Sequence, residues 1–363
     1  MTAPAGSVNA IAYDCKMPRP TLRDVAEAAG VHAATVSRAL NPATQSQVKP
    51  ATARRVLKAA KTLGYRPNPI ARSLKTSRSG TVGMVIPDIA NPVFPPMVRG
   101  LESILEPHGY NCWVVSTDND ATREAELIAG LQGNHVDGFV LATARVDDPL
   151  LEKLHDEEAK IVLVNRRTSN QPILSVVADD VTGISLAVAH LKKLGHQRIA
   201  HLAGPQNTST GQARSAAFRH AVRDHGLSDD PRLVIECGDW REAFGAEALR
   251  TLLSRDVNFT AIVAGNDLIA LGCYDVFRET GLRCPDDISV IGFNDMMFMD
   301  KVQPPLTSVR VPHRQVGAEA GRLLVGMLNG EIDDARSVLL PVELVVRDST
   351  APPHGSGRPE LQS

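Results

Sequence analysis

Residues 21–41 read TLRDVAEAAGVHAATVSRALN, a pattern that predicts two short amphipathic helices joined by a tight turn at Gly30. Thr21 is the expected N-cap, with Asp24 three residues on to return the hydrogen bond and to place negative charge at the positive helix end. Val25 and Ala29 on the first helix, and Val36 and Leu40 on the second, recur at i, i+4, so each helix offers an apolar stripe to the other. The remaining face of the second helix carries Ala33, Ala34, Thr35, Ser37 and Arg38. Small residues there let a backbone sink into a groove, and Arg38 supplies the planar donor fork that pairs with a guanine edge. A surface helical hairpin without a nucleic-acid role is the plainer reading of this stretch alone.

Charge distribution favours the nucleic-acid reading, with a solvated basic face as the plainer alternative. The 363-residue chain has a net charge of only −2, yet residues 19–78 hold 12 Lys and Arg against 2 Asp and Glu. The remainder holds 27 against 39. So one-sided a segment is an electrostatic footprint for phosphates, whereas the acidic remainder is expected to stay off DNA. Five widely spaced cysteines (Cys15, Cys112, Cys237, Cys273, Cys284) form no CxxC pair and suggest neither a disulfide framework nor a zinc site. No apolar run approaches the ~20 residues of a membrane span, and the N-terminus lacks the pattern of a signal peptide.

Beyond the opening hairpin a third helix is expected from Ala51 to Leu63, with Val56, Ala60 and Leu63 on its apolar face, ended by Gly64. In YRPNPIARSLKTSRSG, residues 65–80, Pro67 and Pro69 leave room for a helical turn only over Ile70–Lys75. A helix that short is marginal alone and is expected to form only when held, for instance on DNA; a plain linker is the other reading. From Thr81 the chain changes to short Val/Ile/Leu runs alternating with amphipathic stretches: TVGMVIP, NCWVVST, GFVLAT, IVLVN, SVVAD, RIAHLAG, RLVIECG, AIVAGN and ISVIGFN. Such runs suit parallel strands buried on both faces, and nine to twelve strands are better shared between two doubly wound lobes than crowded into one sheet. Ligands in these folds lie beyond the carboxyl ends of the strands, where Asp88, Asn165, Asn266, Asp267, Asn294 and Asp295 cluster.

With these blocks in view, the chain resembles the LacI/GalR family of bacterial transcriptional repressors from Pro20 to about Ser349. The resemblance rests on DVAEAAGV…TVSRALN, YRPNPIARSLKT, VGMVIPDIANPVF, HLKKLGHQRIAHLAGP, VAGNDLIALG, and PDDISVIGFND followed by PPLTSVR. It implies a homodimer with two DNA headpieces and a core like that of periplasmic sugar-binding proteins. It places Ala33, Ala34 and Arg38 at base-reading positions, with Ser37 and Asn41 beside them, and Thr21, Thr35, Tyr65, Ile70 and Ala71 completing the implied DNA contacts. Leu74 occupies the place of a leucine wedged into the minor groove, where it would unstack a base step and bend the duplex. Packed on its own core, Leu74 would need no such role. His32 departs from the Ser or Thr that usually begins the second helix, although an imidazole can accept the same hydrogen bond.

For a small-molecule effector the resemblance implies Asp88, Val93, Phe94, Asn165, Arg214, Trp240, Asn266 and Asn294. An aromatic face, a fixed guanidinium fork and several hydroxyl partners suit a polar neutral ligand such as a sugar or nucleoside. Each also has a plain reading: Trp240 as core, Arg214 as an ion-pair partner, the asparagines as turn formers at strand ends. Asn294 stands where several sugar-responsive relatives carry Asp, and Val311 where Gln is frequent, so the effector is not copied from any relative. Pro92, Pro95 and Pro96 crowd the helix beside Phe94 and are expected to delay its start.

The expected organisation is a disordered extension (1–18), a helix-turn-helix headpiece (19–64), a hinge (65–80), an α/β core of two doubly wound parallel-sheet lobes (81–350) and a disordered tail (351–363). The expected function is a ligand-responsive regulator, a repressor binding a pseudo-palindromic operator as a homodimer in the bacterial cytoplasm, associated with the nucleoid and not with a membrane. Cleft closure would change lobe spacing and so the hinge. No leucine heptads follow Ser349, so a dimer is the default. A stand-alone sugar-binding module shares the two-lobed core but leaves the basic headpiece unexplained. An enzyme is disfavoured: there is no GxSxG elbow, P-loop, HExxH or glycine fingerprint, and neither a cofactor nor a metal is called for. His190, His196 and His201 are read as structural.

Overall fold

The computed structural model describes residues 20–40, 44–65, 78–169, 171–332 and 336–353. The chain divides into two compact units, residues 1–79 and 80–363.

The first unit is helical: α1 (Leu22–Ala29), α2 (Ala33–Leu40) and α3 (Pro50–Leu63). Thr21 and Asp24 form the expected capping box, the Asp24 carboxylate accepting the Thr21 N–H at 2.6 Å while the Thr21 hydroxyl accepts the Asp24 N–H at 3.4 Å. These bonds hold the exposed Asp24 carboxyl below its ordinary range. Gly30 ends α1 at φ 60°, a left-handed conformation that favours a residue without Cβ. At the start of α2, His32 Nδ1 accepts the Ala34 N–H at 3.2 Å, so the imidazole serves as the cap that a hydroxyl would otherwise provide. The apolar stripe is shifted from the expected one. Val36 and Ala39 are buried on α2 and Leu40 only partly, while Ala53, Val56 and Ala60 are buried on α3 and Leu63 is exposed. Short helices meeting at close quarters take alanine at the contact and turn the bulkier leucines outward.

The second unit contains two six-stranded sheets, and all nine apolar runs form strands. The first sheet holds β1 (Thr81–Ile86), β2 (Asn111–Ser116), β3 (Gly138–Leu141), β4 (Ile161–Val164) and β5 (Leu174–Ala178), with β11 (Ser337–Leu340) at one edge, in the order β2-β1-β3-β4-β5-β11. The second holds β6 (Ile199–Ala203), β7 (Val234–Glu236), β8 (Ala261–Ala264), β9 (Ser289–Asn294) and β10 (Thr307–Arg310), with β12 (Glu343–Val345), in the order β7-β6-β8-β9-β10-β12. The pairings are parallel except β10 with β12, which is antiparallel at an edge. Both sheets therefore change winding direction beside their first strand, and a ligand crevice is expected beyond the carboxyl ends there. The fully buried strands are the central ones; β2 lies at an edge, and its Trp113 is exposed.

Helices cover the sheets: α4 (Phe94–Leu105), α5 (Ala121–Gly133), α6 (Pro149–Asp156) and α11 (His313–Leu328) with the first lobe, α7 (Asp180–Leu194), α8 (Ser209–Asp224), α9 (Glu242–Ser254) and α10 (Asp267–Thr280) with the second. Helix α4 begins at Phe94 with Pro95 and Pro96 in its first turn, where a missing N–H costs nothing. The chain crosses between lobes three times, after β5, after β10 and between β11 and β12, so neither lobe is a continuous stretch of sequence.

The tail departs from expectation. Ala351 accepts hydrogen bonds from His196 Nε2 at 3.0 Å and from the Ser289 hydroxyl at 3.1 Å, and its own N–H lies 3.1 Å from that hydroxyl. Residues 351–353 therefore belong to the core, and the rest of the expected tail lies outside the described residues. The histidines are used structurally: His196 Nδ1 meets the Thr260 hydroxyl, His190 the Thr350 hydroxyl, and His201 donates to the Val263 carbonyl while stacking on Phe218. Cys112, Cys237, Cys273 and Cys284 are free thiols, and no described helix is long and apolar enough to cross a membrane.

Candidate functional site

In the helical unit, α2 turns Ala34 and Arg38 fully outward, with Ala33, Thr35 and Ser37 half-exposed beside them. The carbonyls at its C-terminal end are covered from the following segment, the Thr44 hydroxyl donating to Arg38 O at 3.1 Å and Gln45 Nε2 to Ala39 O at 3.2 Å. Neither bond uses the Arg38 guanidinium, which points outward from α2. Thr21 is exposed as the cap of α1, and Tyr65 packs half-buried against the unit's core. Asn41, Ile70, Ala71 and Leu74 lie outside the described residues.

In the second unit all eight nominated residues, Asp88, Val93, Phe94, Asn165, Arg214, Trp240, Asn266 and Asn294, line one crevice between the lobes. Topology explains the convergence, because Asp88 follows β1, Asn165 follows β4, Trp240 follows β7, Asn266 follows β8 and Asn294 ends β9. The cavity is small, about 40 Å³, well below the ~300–1,000 Å³ of ordinary small-molecule pockets. Admission of a ligand therefore requires the lobes or side chains to part.

Arg214, 2 % exposed, forms the fixed centre. Its Nε donates to Asp180 Oδ1 at 2.8 Å and its Nη1 to the Gly265 carbonyl at 2.7 Å, while its guanidinium carbon lies 3.7 Å from the centroid of the Phe293 ring. Burial raises the Asp180 carboxyl, and the neighbouring guanidinium opposes that shift. Asn266 caps α10 by accepting the Ile269 N–H at 2.8 Å and donates its amide to the Trp240 carbonyl at 2.9 Å. Asn165 (φ 64°) and Asn294 (φ 113°) occupy left-handed conformations that asparagine tolerates better than most side chains. These residues make the turns and caps of the plain reading, and by doing so present polar atoms to the crevice. Trp240 is held against Gly204, where a Cβ would collide with the indole.

Seven further lining residues were not nominated from sequence: Pro87, Asn91, Asn119, Arg166, Thr210, Asp239 and Arg241. Asn119 and Arg166 lie just beyond the ends of β2 and β4, so the strand-end criterion applied to every strand finds them. Arg241 reaches across the crevice, its Nε 3.5 Å from Asp88 Oδ2 and 3.7 Å from Asp239 Oδ2. This half-exposed pair joins the two lobes through a residue nominated as a ligand contact. Burial, reinforced by Arg145, pulls Arg166 down to about 10, which leaves it protonated at neutral pH.

No group of three or more His, Cys, Asp and Glu side chains suited to a metal ion exists among the described residues. The profile of the family described as "Bacterial regulatory proteins, lacI family" matches residues 21–68, and that of the "Periplasmic binding protein-like domain" matches residues 188–350. Catabolite control protein A of Priestia megaterium is 35% identical over 331 residues, 91% of this chain and 99% of that protein. Two solved structures share the architecture over nearly the whole chain. A CelR transcriptional regulator in complex with cellobiose superimposes with a TM-score of 0.71 at 34% identity, covering 91% of this chain and 100% of that one. A lac repressor dimer bound to operator and the anti-inducer ONPF does so with a TM-score of 0.80 at 28% identity, covering 92% and 100%. By its headpiece, its two-lobed core and these relatives, the chain belongs to the LacI family of DNA-binding transcriptional regulators, which are not enzymes.

Proposed function

We propose that this regulator is a repressor that binds a two-fold-symmetric operator as a homodimer and is controlled by a neutral, hydroxyl-rich effector, a sugar or sugar derivative, in the interlobe crevice. The observation that carries this reading is the convergence on one crevice of all eight residues nominated for the effector, in a chain whose other unit offers an outward Arg38 face. Arg214, Asn165, Asn266 and Asn294 supply donors and acceptors in fixed orientations, and Trp240 supplies an aromatic surface. Cellobiose and ONPF in the two related complexes are ligands of sugar type.

Dimerisation is supported by apolar surface on the second lobe. In the loop between β9 and β10, Met297 and Phe298 are 60% and 64% exposed; Leu268, Leu271 and Val302 line a groove that also takes in Glu242, Asp275 and Arg278 and reaches Pro92 of the first lobe. Patches of this kind on a soluble domain mark association surfaces. The hinge, residues 65–80, with Leu74 as its proposed minor-groove wedge, would transmit lobe spacing to the headpieces; by linkage, effector and operator must alter each other's affinity by the same factor. A soluble cytoplasmic protein working on chromosomal DNA fits this role.

Selection of bound fragments from a random DNA library by the full-length protein tests the reading. A palindromic consensus is expected, with binding that falls steeply as salt rises. Light scattering should give twice the chain mass, and a sugar that raises the thermal midpoint should also shift operator affinity. An asymmetric consensus bound by a monomer, or DNA binding unmoved by any stabilising sugar, refutes it.

A further inference from the structure

Behind Trp240 the crevice continues into a second compartment of about 170 Å³, four times the room of the first. Its first-lobe wall comes from the ends of β2, β3 and β4 and from α5, and its second-lobe wall from the loops after β6 and β7. The two compartments share Asn119, Arg166, Asp239 and Trp240, so the indole stands at their junction.

The deeper compartment is polar and incompletely satisfied. Thr117, Glu124, Thr143 and Arg166 are 1%, 2%, 3% and 6% exposed. Yet Thr117 Oγ1, Glu124 Oε2, Arg166 Nε and Trp240 Nε1 have no hydrogen-bond partner among the described residues. Folded proteins leave few buried polar atoms in that state, and a cluster of them around one cavity marks a place where something else completes the bonds. Glu124 keeps an ion pair with Arg145 at 3.5 Å, and its Oε2 closes no hydrogen bond among the described residues.

The charges on these walls select the occupant. Arg145 and Arg166 face Glu124 and Asp239, so formal charge balances. An anion would be pressed against the Glu124 carboxylate and a cation against two guanidiniums. Hydroxyl groups donate and accept in turn, and can meet the carboxylate, the guanidinium N–H, the threonine hydroxyls and the indole N–H together.

Resting on the reading of the crevice as a sugar site, we propose that the effector is an uncharged oligosaccharide of at least two units. One unit is held by Asp88, Arg214, Asn266 and Asn294, and the next by Thr117, Glu124, Thr143 and Arg166, with Trp240 at the linkage. Glu124 and Thr143 then determine ligand length, because they lie outside the first compartment and can reach only the second unit.

Calorimetric titration of the full-length protein with cellobiose, maltose, lactose and sucrose, beside glucose, galactose, fructose and glucose 6-phosphate, tests the assignment. At least one disaccharide should bind tenfold or more tighter than either of its component monosaccharides. Glu124→Gln and Thr143→Val, which nearly preserve shape, should each weaken that disaccharide at least fivefold while leaving monosaccharide binding within twofold and the thermal midpoint of the free protein close to wild type. A monosaccharide that binds as tightly as every disaccharide overturns the second compartment but leaves the sugar reading standing, as does disaccharide binding indifferent to both substitutions. A preference for glucose 6-phosphate overturns the neutral-ligand argument. Failure of every sugar in this series to bind rejects the sugar reading and this inference with it.

Discussion

Substitution of Asp180 by Asn probes the centre of the crevice without changing its shape. The Asp180 and Arg214 side chains are 10% and 3% exposed and meet at 2.8 Å, so both charges have left water and neither has a cheap substitute partner. Asparagine keeps an oxygen for Arg214 Nε but removes the charge, leaving the guanidinium with the Gly265 carbonyl and the Phe293 ring. Removing one member of a buried pair costs about 3–5 kcal/mol, and the retained hydrogen bond places Asp180→Asn at the lower end, about 3 kcal/mol. Arg214→Met strands the carboxylate instead; burial already pushes that carboxyl upward, so it takes up a proton and the cost is held to about 3–4 kcal/mol. With both changed, neither charge of the pair remains, and the double variant should lose only about 3–4 kcal/mol, a coupling of about 2–4 kcal/mol. Urea unfolding of the core at pH 7 measures the cycle, and sugar titration separates structure from recognition. Arg214→Met should abolish effector binding alone and in the double variant, whereas Asp180→Asn should only weaken it. Single-variant losses that add to within about 0.5 kcal/mol would show that the pair does not act as a unit, and the argument for a pre-set guanidinium would fail.

Three further outcomes are expected. Arg38→Ala should weaken operator binding by about 1–3 kcal/mol and relax preference at one base pair of each half-site, seen by repeating the DNA selection; an equal loss on operator and random DNA would reassign Arg38 to the phosphates. Gly204→Ala places a methyl group where the Trp240 indole packs, so effector affinity should fall at least tenfold, with a changed tryptophan fluorescence that unaltered spectra would contradict. Burial lowers His201 to about 4, so folding disfavours its charged form: this stability is complete above the unfolded value of 6.5 and is lost as pH falls through 4. That loss amounts to about 3 kcal/mol, and urea titrations from pH 7.5 to 4 should find His201→Gln less acid-sensitive by a similar amount; parallel pH profiles would place the titrating groups elsewhere.

Local chemistry explains which parts were legible beforehand. Thr21 and Asp24, Gly30, and the strand runs with their polar residues at carboxyl ends obey rules acting over a few residues, and the structure follows them. The expected apolar faces of α2 and α3 erred by one position, at Leu40 and Leu63, because periodicity gives the direction of a stripe but not how closely a neighbouring helix approaches. The APP of residues 351–353 has the composition of a loose tail, yet Ser289 and His196, far away in sequence, tie it down. Glu124 carried no local signal of a site, being an ordinary helix residue until two lobes close on it, whereas Thr143 and Arg166 stand just beyond strand ends that the same rule reaches.

From sequence alone came a basic helical unit, alternating buried strands and the residues waiting at their ends, because helix caps, burial patterns and net charge are set by neighbours along the chain. Tertiary structure decided which of those ends face one another, that Asp88 meets Arg241 across the crevice, and that buried polar atoms behind Trp240 are left without partners. Those facts depend on three crossings between lobes, which bring together side chains more than a hundred residues apart at distances no local pattern encodes.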